Sequence, residues 1–207
     1  MIKAIIFDVG GVLLRTEDHA YRRRWEEKLG LQPGEAEEIV FNSEIGQKAQ
    51  RGEISDDALW AWVGERLELG PQFDSFKNDY WAGDVLDDEL IAFIRTLKPT
   101  YQTAVISNAT DRLRELLASL DIADAFDVII GSAEERIMKP DAAIYRHALE
   151  ALDRRAEEAV FIDDFQRNVD GARAIGMKAI LYRPGLNIET ELANLGVQAP
   201  GKKEKIS

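Results

Sequence analysis

Residues 2–11, IKAIIFDVGG, decide the fold. The stretch from Ile2 to Phe7 is short, apolar and rich in Ile, and Asp8 and two glycines follow at once. An apolar run of that length without polar alternation reads as a strand buried on both faces, as in a parallel sheet. The pattern recurs at 103–106 (TAVI), 128–130 (VII), 159–162 (AVFI) and 178–182 (KAILY). Between these runs, segments 88–98, 111–120, 141–152 and 167–176 carry apolar residues at helical spacing, as Leu113, Leu116, Leu117 and Leu120 do. Pro140 fits a helix first turn and Gly176 fits a helix end. Alternating strand and helix predict an α/β fold, a doubly wound parallel sheet.

Residues 15–88 break the alternation. The stretches Glu17 to Leu29, Glu35 onward, Ser55 to Leu67 and Phe73 to Trp81 read as helices, and no strand is evident. Ser55, followed by Asp56 and Asp57, makes a helix N-cap with acidic residues at the positive end. About 70 residues between two strands far exceed an ordinary connection of ~2–6 residues. The reading is therefore a core of 1–14 and 89–199, a helical insert at 15–88, and a disordered tail at 200–207. The four tryptophans (25, 60, 62 and 81) all fall in the insert and are expected to build its core. Arg22, Arg23 and Arg24 are expected on a solvated helix face, paired with Glu26 and Glu27.

Composition narrows the function. The chain of 207 residues has no Cys, which excludes a disulfide framework, a thiolate nucleophile and Cys-ligated metal. Its net charge of −12 disfavours nucleic acid and anionic membranes as partners. No apolar run approaches the ~20 residues of a membrane span, and a cytoplasmic location is expected.

In open α/β sheets ligands bind beyond the carboxyl ends of the strands. Those ends carry Asp8, then Gly10 and Gly11; Ser107 and Asn108; Lys139 in the loop after the third run; and Asp163 with Asp164. Three carboxylates would then share one rim with a single ammonium. Two like charges ~4 Å apart cost roughly 4 kcal/mol at an effective dielectric near 20. Oxygen-only ligands with room for water and phosphate suit Mg²⁺.

The motifs IIFDVGGVL (5–13), AVISN (104–108), MKPDAAIY (138–145) and VFIDDFQRNVDGARAIGM (160–177), taken in that order, resemble the haloacid dehalogenase superfamily. The insert is similar to that family's small α-helical cap, and RGEIS (51–55) resembles the subgroup with sugar-1-phosphate phosphatases. The resemblance implies a Mg²⁺-dependent phosphatase acting on a small phosphorylated metabolite. Asp8 would be the nucleophile; Asp8, Gly10 (through its carbonyl), Asp163 and Asp164 the metal site; and Ser107, Asn108 and Lys139 the substrate-binding residues. Asn168 stands where some relatives have an acid, and lone His19 is expected on the surface. One departure stands out: most phosphatases of the family carry a second Asp two residues after the nucleophile, and here that position is Gly10. Two other readings follow from the same residues. One is a 2-haloacid dehalogenase, whose Asp attacks carbon without metal; the other is a binding protein with a weakened site.

Overall fold

The computed structural model describes residues 1–198, so the expectation for the tail at 200–207 lies outside the described residues. Seven strands occur among them: β1 (Ala4–Phe7), β2 (Leu14–Thr16), β3 (Asp84–Leu86), β4 (Gln102–Ser107), β5 (Val128–Gly131), β6 (Ala159–Asp163) and β7 (Lys178–Leu181). Five of them form one parallel sheet in the order β5-β4-β1-β6-β7. The first apolar run thus lies at the centre, flanked by β4 and β6.

Strand alternation explains why that run lacks a polar face. Ile5 and Phe7 pack into one layer with the helices Asp88–Leu97, Leu113–Ser119 and Ile188–Asn194. Ala4 and Ile6 pack into the opposite layer, with Ala142–Leu152 and Gln166–Ala174. Ile5, Ile6 and Phe7 are fully buried, each contributing about 1.5–3 kcal/mol relative to exposure. The sequence reading of a doubly wound sheet therefore holds. Pro140 does not open the next helix, however: Asp141 is the N-cap, its side chain accepting from the Ala143 N–H at 2.8 Å. Gly176 does follow a helix, at φ 94°, where glycine carries no Cβ penalty.

The segment between β1 and β4 is mostly helical. Ser55 caps Asp56–Arg66 by accepting from the Ala58 N–H at 3.2 Å, as its sequence predicts. Trp25, Trp60, Leu59, Val63, Phe76 and Tyr80 form a separate buried cluster, with Trp62 packed against it. Trp81 is 39% exposed.

Two expectations for this segment are corrected. The segment does contain strand: β2 and β3 pair antiparallel, Leu14 opposite Leu86 and Thr16 opposite Asp84. Three-residue strands are too short to show a period, and the link that joins them, Thr16 Oγ1 to Asp84 Oδ1 at 2.6 Å, spans sequence no pattern connects. Arg22 is not solvated either. It is buried over the Tyr80 ring at 4.4 Å, donating to the Tyr80 carbonyl and to Asp84 Oδ1, each at 2.9 Å. Glu26 is buried too, accepting from the Gly34 and Ala36 N–H groups at 2.9 and 3.2 Å. Backbone donors and a distant carboxylate satisfy both residues better than the expected i,i+4 pair.

This segment touches the sheet layer near β4 and β5. The Ser132 hydroxyl donates to the Gln50 carbonyl at 2.6 Å, and Thr110 Oγ1 donates to Asp56 Oδ1 at 2.9 Å. Gly52, at φ 66°, abuts Ala133 so closely that a Cβ would lie 2.1 Å from the Ala133 carbonyl oxygen. No helix among the described residues is long and apolar enough to cross a membrane.

Candidate active site

Sheet register assembles the site. Phe7 lies opposite Val105 on one side and Ile162 on the other. The next residue along, Asp8, is therefore level with Ile106 and Asp163, and Ser107 and Asp164 lie one step beyond. One carboxylate oxygen from each of Asp8, Asp163 and Asp164 lies within 4.8 Å of the others. Lys139 arrives from the loop after β5. Its buried ammonium reaches Asp8 Oδ1 at 2.8 Å and Asp163 Oδ2 at 2.7 Å.

The three carboxylates have different surroundings. Asp163 is fully buried, and both its oxygens are engaged. The Asn168 amide donates to both at 3.0 Å, the Phe165 N–H to Oδ1 at 2.7 Å, and Lys139 to Oδ2. Asp8 is engaged on one side: Oδ1 takes the Val9 N–H at 2.7 Å and Lys139, and none of the described hydrogen bonds reaches Oδ2. Asp164 is half-buried, and its Oδ1 is buried without a partner.

Those surroundings set the proton affinities. Burial pushes the Asp8 carboxyl from its ordinary 3.8 up to about 7; Lys139 pulls it down, and Asp163 and Asp164 add to the rise. Burial also raises Asp164, to about 6, with Asp163 adding to it and Lys139 and Arg183 opposing. Burial works against the Lys139 ammonium, yet Asp8 and Asp163 together hold its pKa above the ordinary value. The cluster carries more negative charge than one lysine offsets.

Asn108 holds the Lys139 loop from both sides: its Oδ1 accepts from the Lys139 N–H at 2.8 Å, and its Nδ2 donates to the Lys139 carbonyl at 3.0 Å. Ser107 is buried at the end of β4. Gly10 is exposed, its φ is not positive, and a Cβ there would meet nothing within 4 Å. Its neighbour Gly11 differs: φ is 75°, and a Cβ would sit 2.2 Å from Asp164 Oδ2. The loop backbone thus presses against Asp164. His19 is the exposed N-cap position of the helix Ala20–Leu29, with no side-chain cap bond.

The sequence reading missed three supports of this site. Arg183 donates to the Asp164 carbonyl at 2.6 Å, and Tyr145 donates from its hydroxyl to the Asn168 carbonyl at 2.8 Å. Gly11 lets the loop approach Asp164. Arg183 follows β7, so the strand-end rule that found Asp8 also covers it. Tyr145 carries no such signal, because its role depends on which helices face each other.

The family model for haloacid dehalogenase-like hydrolases matches residues 2–176. The sesquiterpene phosphatase astK of Aspergillus oryzae is 29% identical over 199 residues, covering 93% of this chain and 96% of that protein. Drimenol cyclase drtB of Aspergillus calidoustus is 27% identical over 94% of this chain, which spans only 37% of drtB. Among solved structures, the enzyme bt-2542 of Bacteroides thetaiotaomicron, in complex with magnesium and inorganic phosphate, superposes with a TM-score of 0.77 at 20% identity. That match covers 92% of this chain and 99% of the other.

Proposed function

The chain belongs to the haloacid dehalogenase-like hydrolases, and from that premise we propose that it is a Mg²⁺-dependent phosphatase that hydrolyses a small phosphorylated metabolite through a phosphorylated Asp8. The observation that carries this reading is the state of Asp8. One Asp8 oxygen is held by Lys139 and the Val9 N–H while none of the described hydrogen bonds reaches the other; Asp164, which has a carboxylate oxygen within 4.8 Å of one from Asp8, keeps its Oδ1 without a partner. The phosphatase astK, matched over nearly its whole length, and the magnesium and phosphate bound by bt-2542 support the same chemistry.

The residues present fit a divalent cation. The donor set is all oxygen, Asp164 Oδ1 is buried without a partner, and the excess negative charge needs a counter-ion. Asp8, Asp164 and the Gly10 carbonyl would hold the ion. Asp163, whose oxygens are already engaged, sits beside it and orients Lys139. When bound, Mg²⁺ supplies the positive charge that lets an anionic phosphate approach carboxylates.

In this reading Asp8 attacks phosphorus in line, so that hydrolysis divides into two steps. Lys139 and Ser107 bind the phosphate oxygens, the ammonium as charge and the hydroxyl as donor. Asn108 fixes the Lys139 backbone, and Asn168 fixes Asp163 behind it. Residues 15–88 act as a cap over the rim and carry the specificity. Gly10 supplies no acid for the departing oxygen, which favours substrates with an acidic leaving group, such as a sugar 1-phosphate. Displacement at carbon, as in a 2-haloacid dehalogenase, needs no cation and leaves the buried, unpartnered Asp164 oxygen without a purpose.

The test is phosphate release from p-nitrophenyl phosphate with Mg²⁺ and with EDTA, followed by a panel of sugar 1- and 6-phosphates. Activity that survives EDTA, or that persists in Asp8→Asn, would overturn the reading.

A further inference from the structure

Single apolar residues on a protein surface are ordinary, and Trp81, Val85 and Leu116 are exposed within helices or strands. Phe165 differs in where it stands. It follows Asp164 directly, so its Cα is about 3.8 Å from that of the proposed cation ligand. It is 53% exposed. Its backbone is fixed: the N–H donates to Asp163 Oδ1 at 2.7 Å, and the carbonyl accepts from the Asn168 and Val169 N–H groups at 3.0 and 3.1 Å.

The position also runs against local preference. Phe165 is the N-cap of the helix Gln166–Ala174, with φ −95° and ψ 120°, and its side chain makes no cap bond. In that extended conformation Ser, Thr, Asp or Asn accepts from the second or third helical N–H, and a hydrocarbon forgoes the bond. The exposed ring forgoes burial as well. Two local losses coincide at one residue of the rim, and such coincidences mark functional positions. The ring is also braced, because the Arg167 guanidinium lies over it at 5.3 Å. A braced aromatic face beside Asp164 is a surface on which a carbon skeleton can lie while its phosphate sits at Asp8 and Lys139.

Resting on the phosphatase reading above, we propose that Phe165 is a specificity-determining residue whose ring receives the leaving group of the phosphate ester. It favours leaving groups that present a flat, apolar face, whether an arene or the C–H face of a sugar ring, over small ones. The gain is one of binding, and ring contacts of this kind are worth a factor of roughly 3–10. The start of the helix bears the matching loss of stability.

The experiment compares benzyl phosphate, glucose 1-phosphate and methyl phosphate, with Mg²⁺, in the native protein and in Phe165→Ser and Phe165→Trp. Benzyl and methyl alcohol differ little in acidity, so their ratio reads contact with the leaving group rather than bond breaking. Phe165→Ser should lower the benzyl-to-methyl ratio of kcat/KM by ~3–10-fold, chiefly through KM, and Phe165→Trp should keep it. The inhibition constant of inorganic phosphate, which carries no leaving group, should not follow the ratio. Phe165→Ser should at the same time raise the urea midpoint, because serine supplies the cap bond. A matching fall for glucose 1-phosphate assigns the sugar face as well, and a fall for benzyl phosphate alone assigns the arene. An unchanged ratio to methyl phosphate for both esters in Phe165→Ser would overturn the proposal while leaving the phosphatase reading intact. So would an equal loss for all three esters and for inorganic phosphate, which would make Phe165 a support of the carboxylates and nothing more. Native protein that releases no phosphate from any ester with Mg²⁺ would overturn both.

Discussion

Asp8→Asn should inactivate the protein and also stabilise it, provided Mg²⁺ is absent and the pH is high. In the folded protein the Asp8 carboxyl is displaced from 3.8 to about 7, chiefly by burial. The unfolded chain has lost this proton above about pH 4, whereas the folded chain keeps it to about pH 7. Stability attributable to this group is therefore undiminished below pH 4, falls as the pH rises from 4 to 7, and levels off above. At roughly 1.4 kcal/mol per pH unit the full cost is about 4 kcal/mol. Asn cannot ionise, so it escapes the cost while its amide oxygen can still accept from Lys139. A net gain of about 2–4 kcal/mol is expected at pH 8 in EDTA, shrinking toward zero at pH 4. Urea unfolding at several pH values measures it, and a slope of ~2 kcal/mol per molar translates the gain into a midpoint shift of roughly 1–2 M. Saturating Mg²⁺ should reverse the order by stabilising only the native protein. If Asn is equally or less stable at pH 8 in EDTA, the charge on Asp8 is not the burden described here.

Other outcomes follow from the same geometry. Lys139→Met leaves two buried carboxylates without their counter-ion and should cost about 3–5 kcal/mol at pH 8, less at pH 5 where the carboxyls can take up protons; urea midpoints at the two pH values check this. Asp164→Ala should abolish Mg²⁺-induced stabilisation in a thermal shift assay, with the fold retained in circular dichroism. Gly11→Ala places a Cβ 2.2 Å from Asp164 Oδ2 at a positive φ, and should weaken Mg²⁺ binding and lower stability by about 1–3 kcal/mol, read by titration calorimetry and unfolding. Arg22→Ala should lower the urea midpoint by the equivalent of about 3 kcal/mol, since it removes a buried guanidinium with its bond to the Tyr80 carbonyl and leaves the largely buried Asp84 side chain with Thr16 but no counter-ion.

What could be read before the structure was known divides along physical lines. Asp8, Ser107, Asp163 and Asp164 terminate strands whose apolar runs are visible, so one rule about strand ends found them together. Lys139 needed only its place in the loop after β5. Arg22 and Glu26 misled because local spacing matched an i,i+4 pair, whereas burial gave each residue a better partner far away in sequence. The strands β2 and β3 were invisible because neither has a period and their pairing spans about 70 residues. Gly10 could be noticed as an absence, but only the structure gives it open space and an ordinary φ, which decides that a side chain can be placed there.

The small ribbon of β2 and β3 has a consequence for how such a chain can change. Leu14 and Leu86 are direct partners, so the polypeptide leaves the large sheet's neighbourhood and returns to it at adjacent points. A tight turn joining those two positions would excise everything between them, and a segment of another length could be spliced in, without shifting β1 against β4. The ribbon is thus a socket. If the segment carries the specificity proposed for it, substrate preference could be exchanged as a cassette, while Asp8, Ser107, Lys139 and Asp164 stay where the central strands put them.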